Sequence, residues 1–246
     1  MGFFSSAWSV VSSVGGAIAS GISTACSVVA GIGGAAIGFA RECLPRVGSI
    51  VNTVGGSLGM VANLVVAVCQ IFSTLRQDEK AEDLGDRALQ AAENGIRPEN
   101  FDHYQDYLER IRSFEINPEK SAQYSPDTKA AAGMQVAISS LEDHFKTPVG
   151  ALYGLPILVA MSYSGVDEKF FFDKDRLSAL LKTTHDINAV VDYLDGRLGR
   201  SERATVETTL LKAEQSLTPE KTLADVKGDL REVAAKLEAQ INNVNT

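Results

Sequence analysis

Gly55-Gly56-Ser57-Leu58-Gly59 has the spacing of a nucleophile elbow, G-x-S-x-G, in which a serine on a sharp strand-to-helix turn attacks an acyl carbon. That chemistry needs a strand before the serine, a helix after it, and a histidine–carboxylate pair elsewhere in the fold. Ser49 to Val54 is the one segment that could serve as the strand, and no alternating pattern elsewhere supplies a sheet around it. His103, His144 and His185 stand singly, more than 40 positions apart. Gly31-Ile32-Gly33-Gly34-Ala35-Ala36 fits G-x-G-x-x-A, but a dinucleotide site also needs a βαβ unit and an acid about 20 residues on. Residues 47–60 hold no acid. Cys26, Cys43 and Cys69 form no CxxC pair and join no histidine or carboxylate cluster, so they read as buried thiols, not a disulfide framework or metal site. The expectation is therefore no catalytic residue, no cofactor and no metal, in a protein that is not an enzyme.

A second kind of chemistry has more support. Asn52, Asn63 and Gln70 are amides on otherwise apolar stretches, and in lipid such groups must pair or face water. They share a helical face with Gly48, Gly55 and Gly59, while Ile50, Val54, Leu58, Val61, Val65, Val68 and Phe72 make the bulky face. The preceding run repeats the design without amides. Ser5, Ser9, Ser12, Gly16, Ser20, Ser23, Ser27, Gly31, Gly34 and Gly38 recur every three or four residues. Opposite them lie Val11, Val14, Ile18, Ile22, Ala25, Val29, Ile32, Ala36 and Phe39. Gly34–Gly38 and Gly55–Gly59 are both GxxxG pairs, which let helix backbones approach closely in an apolar setting. The stripe therefore packs another helix or lines a wet lumen, and the spacing alone leaves both open.

The element that must carry these residues is a hydrophobic hairpin. No Asp, Glu, Lys or Arg precedes Arg41. Residues 3–40 would span about 55 Å as a helix, more than the ~30 Å hydrocarbon core, so the run is two short spans or one helix partly in lipid. Phe3, Phe4 and Trp8 suit the lipid–water boundary. Arg41, Glu42, Pro45 and Arg46 interrupt the apolar sequence and predict a turn, the hairpin tip. Val47 to Leu75 forms the second arm.

Composition then changes. Residues 1–75 carry only Arg41, Glu42 and Arg46, a net of +1, whereas the remainder carries 21 of 23 basic and 30 of 31 acidic residues, a net of −9. An acidic second part excludes nucleic acid as a partner, because phosphates need clustered Lys and Arg. The domain boundary is placed at 75/76, dividing a membrane-interacting hairpin, 1–75, from an acidic helical domain, 76–246. Pro98-Glu99, Pro118-Glu119, Pro126-Asp127 and Pro219-Glu220 each place proline and an acid together, and Asn117, Ser125 and Thr218 can cap, so helices are expected to start near 98, 126 and 219. Thr147 to Val166 is a further uncharged stretch, read as a buried core helix or a third membrane contact. Leu223, Val226, Leu230, Val233, Leu237, Ile241 and Val244 make a narrow, coiled-coil-like seam.

The fold class is all-α. In general style the small-residue runs resemble bacterial glycine-zipper membrane toxins and secretion-system effectors, without pointing to any one family. The expected function is a membrane-inserting, oligomerising protein that forms a pore or permeabilises a bilayer. The alternative is a phage ejection or secretion-complex subunit that makes a channel or anchor. Expected partners are a lipid bilayer, further copies of the chain, and a chaperone, immunity protein or secretion or virion component. The expected location is the membrane, after a soluble or chaperoned stage.

Overall fold

Two helices cross with no side chain between them, and the rest of the fold is built on that crossing. A computed structural model describes residues 39–53, 56–163, 174–184, 186–194 and 196–244. Among these residues all regular structure is helical: α1 Leu44–Thr53, α2 Leu58–Ile71, α3 Ala81–Glu93, α4 Tyr104–Arg112, α5 Pro118–Ser121, α6 Pro126–Phe145, α7 Leu155–Tyr163, α8 Lys174–Thr183, α9 Ile187–Leu194, α10 Arg200–Gln215 and α11 Leu223–Val244. A π-helical turn, Phe39–Cys43, precedes α1.

The central helix is α6. Ser125 Oγ accepts from the Thr128 amide at 3.1 Å, Pro126 occupies the first turn, and Asp127 faces the positive helix end. Its body is buried from Ala130 to Ile138. Helix α3 lies across it at Gly85 and Gly133. A Cβ on Gly85 would sit 1.8 Å from the Lys129 carbonyl oxygen, and one on Gly133 would sit 1.8 Å from that of Ala81. Helix α2 packs along another side of α6, where Cys69 Sγ donates to the Ala137 carbonyl at 3.2 Å and the Thr74 and Ser140 hydroxyls meet at 3.0 Å. Helix α7, apolar and buried from Leu155 to Ala160, lies against α1 and α2. Helices α8, α10 and α11 pack in succession, tied by a buried ion cluster in which Glu214 meets Arg176 at 3.3 Å and Lys221 at 2.8 Å.

Several expected features take a different form. Arg41, Glu42, Pro45 and Arg46 are not a turn: Arg41 and Glu42 lie in the π-turn, and Pro45 and Arg46 lie in the first turn of α1. The π-turn runs straight into α1, so Pro45 stands inside a continuous helical stretch and does not end it. The second arm is not one helix. It stops at Thr53 and restarts at Leu58, because Ser57 is an N-cap. Pro98 opens only a short 3₁₀ turn, because the chain is extended again at Phe101, and the α-helix starts at Tyr104. Helix α11 begins at Leu223, not 219. Thr222 and Asp225 form a reciprocal cap, with the Thr222 amide 2.8 Å from Asp225 Oδ2 and the Asp225 amide 3.3 Å from Thr222 Oγ1.

The composition break at 75/76 falls between α2 and α3, yet both pack on α6, and one buried apolar cluster runs from Phe39 to Leu230. Val226 and Leu230 of the C-terminal seam are buried, and the seam side chains from Val233 onward lie outside the description.

Candidate functional site

Ser57, the would-be nucleophile, is exposed, and its Oγ accepts from the Met60 amide at 3.3 Å. It is thus the N-cap of α2, and the G-x-S-x-G spacing is that of two glycines and a cap. The described segment before it, Leu44–Thr53, is helical. His144 stacks beside Phe145 and Phe72, with ring centroids 4.9 and 6.2 Å away. Burial pushes the Cys69 thiol up to about 12, so it is no thiolate at neutral pH. Among the described residues no group of three His, Cys, Asp or Glu side chains could hold a metal ion.

The amide stripe is the better-formed site. Asn63 Oδ1 accepts from the Ala81 amide at 2.9 Å, and its Nδ2 donates to the Gly59 carbonyl at 2.9 Å and to Glu82 Oε2 at 3.2 Å. The first amide of α3 would otherwise lack a partner, because Lys80 at its N-cap offers no side-chain acceptor. Asn63 therefore caps α3 from the neighbouring helix. A Cβ at Gly59 would come within 2.5 Å of Glu82 Oε1, so the missing side chain makes room for that carboxylate. Two turns past Asn63, Gln70 Nε2 donates to the Arg76 and Glu79 carbonyls at 2.9 and 3.2 Å. Glu79 is fixed in turn by Arg112, at 2.7 and 3.0 Å. Chiefly through its hydrogen bonds to Glu79, Arg112 is held above the usual guanidinium range.

In this fold, then, Gly59, Asn63 and Gln70 face the chain's own charged segment 76–82. Gly48 is buried in α1. The Asn52 side chain and Gly55 lie outside the described residues, as do Gly16, Ser20, Ser27, Gly31, Gly34, Gly38, Phe3, Phe4 and Trp8. Of the four residues expected at the tip, Arg41 and Pro45 are exposed and Arg46 is half-buried.

Other residues matter that the pattern of the sequence did not single out. Glu142 is 3 % exposed, and its Oε1 accepts from the Gly150 and Leu152 amides at 2.8 and 3.1 Å. Its Oε2 has no hydrogen-bond partner. Burial pushes this carboxyl up to about 7, only partly opposed by the two amides. Asn188 holds the same loop from the other side, accepting from the Gly154 amide at 2.7 Å and donating to the Gly150 carbonyl at 2.6 Å. Gly85 and Gly133 carried a legible signal, since glycine inside a helix weakens it unless close packing requires it. Their pairing across 48 positions was not legible.

No helix among the described residues is long and apolar enough to cross a membrane. The chain matches no protein-family model, no curated protein and no solved structure.

Proposed function

We propose that the protein inserts into membranes through its N-terminal part and, as an oligomer, forms a pore or permeabilises the bilayer. The observation that carries this reading is the charge-free run before Arg41, with small residues every three or four positions. Two features of the folded chain support it. Phe39, near the end of that run, is a buried ring packed edge-on against Tyr153 at 5.5 Å, so this end of the run is part of the core. The amides of α2 are satisfied by residues 76–82, which gives the polar stripe partners before any membrane is met. In a glycine-zipper hairpin the same stripe would exchange those partners for a second helix, and charged groups such as Glu82 would stay at the interface.

The test is dye release from liposomes and single-channel recording with the full chain. Graded leakage and discrete conductance steps are expected, and depolarisation of cells expressing the chain behind a periplasmic signal should follow. Lipid binding without leakage or conductance overturns the pore reading and leaves a channel-less anchor or assembly subunit.

A further inference from the structure

The loop that joins α6 to α7 is tied back onto α6 by one side chain. Helix α6 stops at Lys146, whose left-handed backbone (φ 54°) turns the chain into residues 147–154. Glu142 Oε1 takes two amides of this loop, from Gly150 at 2.8 Å and from Leu152 at 3.1 Å. On its α9 side the loop is held by neutral groups. Asn188 bridges Gly150 and Gly154, and the Ile187 amide donates to the Ala151 carbonyl at 3.1 Å. What the loop covers is apolar: Leu152 and Leu155 are fully buried, and α7 carries no charged residue.

We propose that Glu142 is a proton-operated latch: protonated, it holds residues 147–154 against α6, and ionised, it lets them swing out to water about Lys146. The charge is costly only while the loop is shut. Glu142 is 3 % exposed, its Oε2 has no hydrogen-bond partner, and no Lys, Arg or His among the described residues pairs with it. Two amides do not replace the hydration of a full charge, and opening restores that hydration. The groups around the carboxyl are neutral or paired elsewhere. Tyr104 on α4 senses its charge, and burial holds that hydroxyl well above its ordinary value. Cys69 on α2 is a neutral thiol. On α6 itself, Asp143 pairs with Lys146 at 3.1 Å and His144 stacks on Phe145. In the loop, the Tyr153 ring packs on Phe39, and before α9 the Asp186 carboxylate accepts from the Ala189 amide at 3.0 Å. Asp86 of α3 pairs with Lys129 at 3.0 Å, about 20 Å from Glu142 along α6. Burial raises the carboxyl from 4.5 to about 7 with the loop shut, so closure is favoured in full below pH 4.5 and loses that advantage as pH rises through about 7. Between pH 5 and pH 8 the open fraction rises about 70-fold. The inference rests on the loop and not on insertion of residues 1–40.

Amide hydrogen exchange on the full chain, resolved by residue and corrected for intrinsic rates, tests the latch. Protection of the Gly150 and Leu152 amides is expected to fall about 70-fold from pH 5 to pH 8, and to stay below that of Met134 in the buried middle of α6. Glu142→Gln should flatten the profile, and His144→Gln should leave it as in the wild type. Constant protection of the two amides across the range overturns the proposal. So does protection equal to that of Met134 at every pH, which makes unfolding of the whole chain the only opening. A profile that survives in Glu142→Gln, or vanishes in His144→Gln, overturns it too. If Glu142→Gln does not fold, the wild-type and His144→Gln profiles decide. A pH-dependent loop without dye release or conductance keeps the latch and removes the pore reading, and leakage with a flat profile does the reverse.

Discussion

Replacing Glu142 with glutamine should remove a pH dependence from the stability of the fold. The carboxyl is raised from 4.5 to about 7 in the folded chain, because burial disfavours its charge. A folded carboxyl with a raised value holds its proton more tightly than the unfolded one. Its contribution to stability is therefore fully present below pH 4.5 and is lost as pH rises through about 7. The difference corresponds to about 3 kcal/mol at pH 8 and above. In Glu142→Gln the amide oxygen still accepts from Gly150 and Leu152, and the amide nitrogen takes the place of the unpartnered oxygen. The loss from that unsatisfied donor does not vary with pH, so the slope is the quantity to read. Urea unfolding followed by circular dichroism from pH 4.5 to 8.5 should show the variant gaining on the wild type by about 3 kcal/mol. That is about 1.5 M in midpoint at an m-value near ~2 kcal/mol/M. A stability difference that stays constant across the range would refute the reasoning, because it would mean that Glu142 has the same pKa folded and unfolded.

Gly133→Ala should destabilise the fold by about 3 kcal/mol or more in the same urea assay, since the new methyl lands on the Ala81 carbonyl and drives α3 off α6. An effect under about 1 kcal/mol would mean that the crossing is looser than described. Asn63→Leu removes the side-chain cap on the first amide of α3 and strands Glu82 beside an apolar group, so a loss of about 1–2 kcal/mol is expected. If it instead alters single-channel conductance without changing urea stability, Asn63 faces a lumen in the active state. Ser57→Ala should cost about 1 kcal/mol as a lost cap and leave turnover of p-nitrophenyl acetate at the buffer background, as in the wild type. Serine-dependent turnover would restore the hydrolase reading.

Much of the helical architecture was readable because its signals are local. Ser125-Pro126-Asp127 starts α6, as its spacing implies, since a cap needs only a side chain within three residues. Local signals also misled where two competed. Pro45 reads equally as a breaker and as a first-turn residue, and only the π-turn before it decides for the helix. Pro219-Glu220 was outweighed by the reciprocal Thr222–Asp225 cap, which satisfies two amides instead of one.

The sequence by itself determined that this chain is helical, that charge is absent before Arg41, and that α2 carries two amides and a glycine on one face. Periodicity and charge are properties of the chain, so no partner is needed to read them. Only the tertiary structure decided what that face meets. Asn63 and Gln70 sit against residues 76–82 because the chain turns back at Ser73 and Thr74 and lays α3 beside α2, and the α3–α6 crossing at Gly85 and Gly133 fixes where α3 can lie. For the same reason α2 and α3, on either side of the composition break at 75/76, both pack on α6. A helix with one apolar face and one polar face buries both when an apolar neighbour and a charged neighbour come from different parts of the chain.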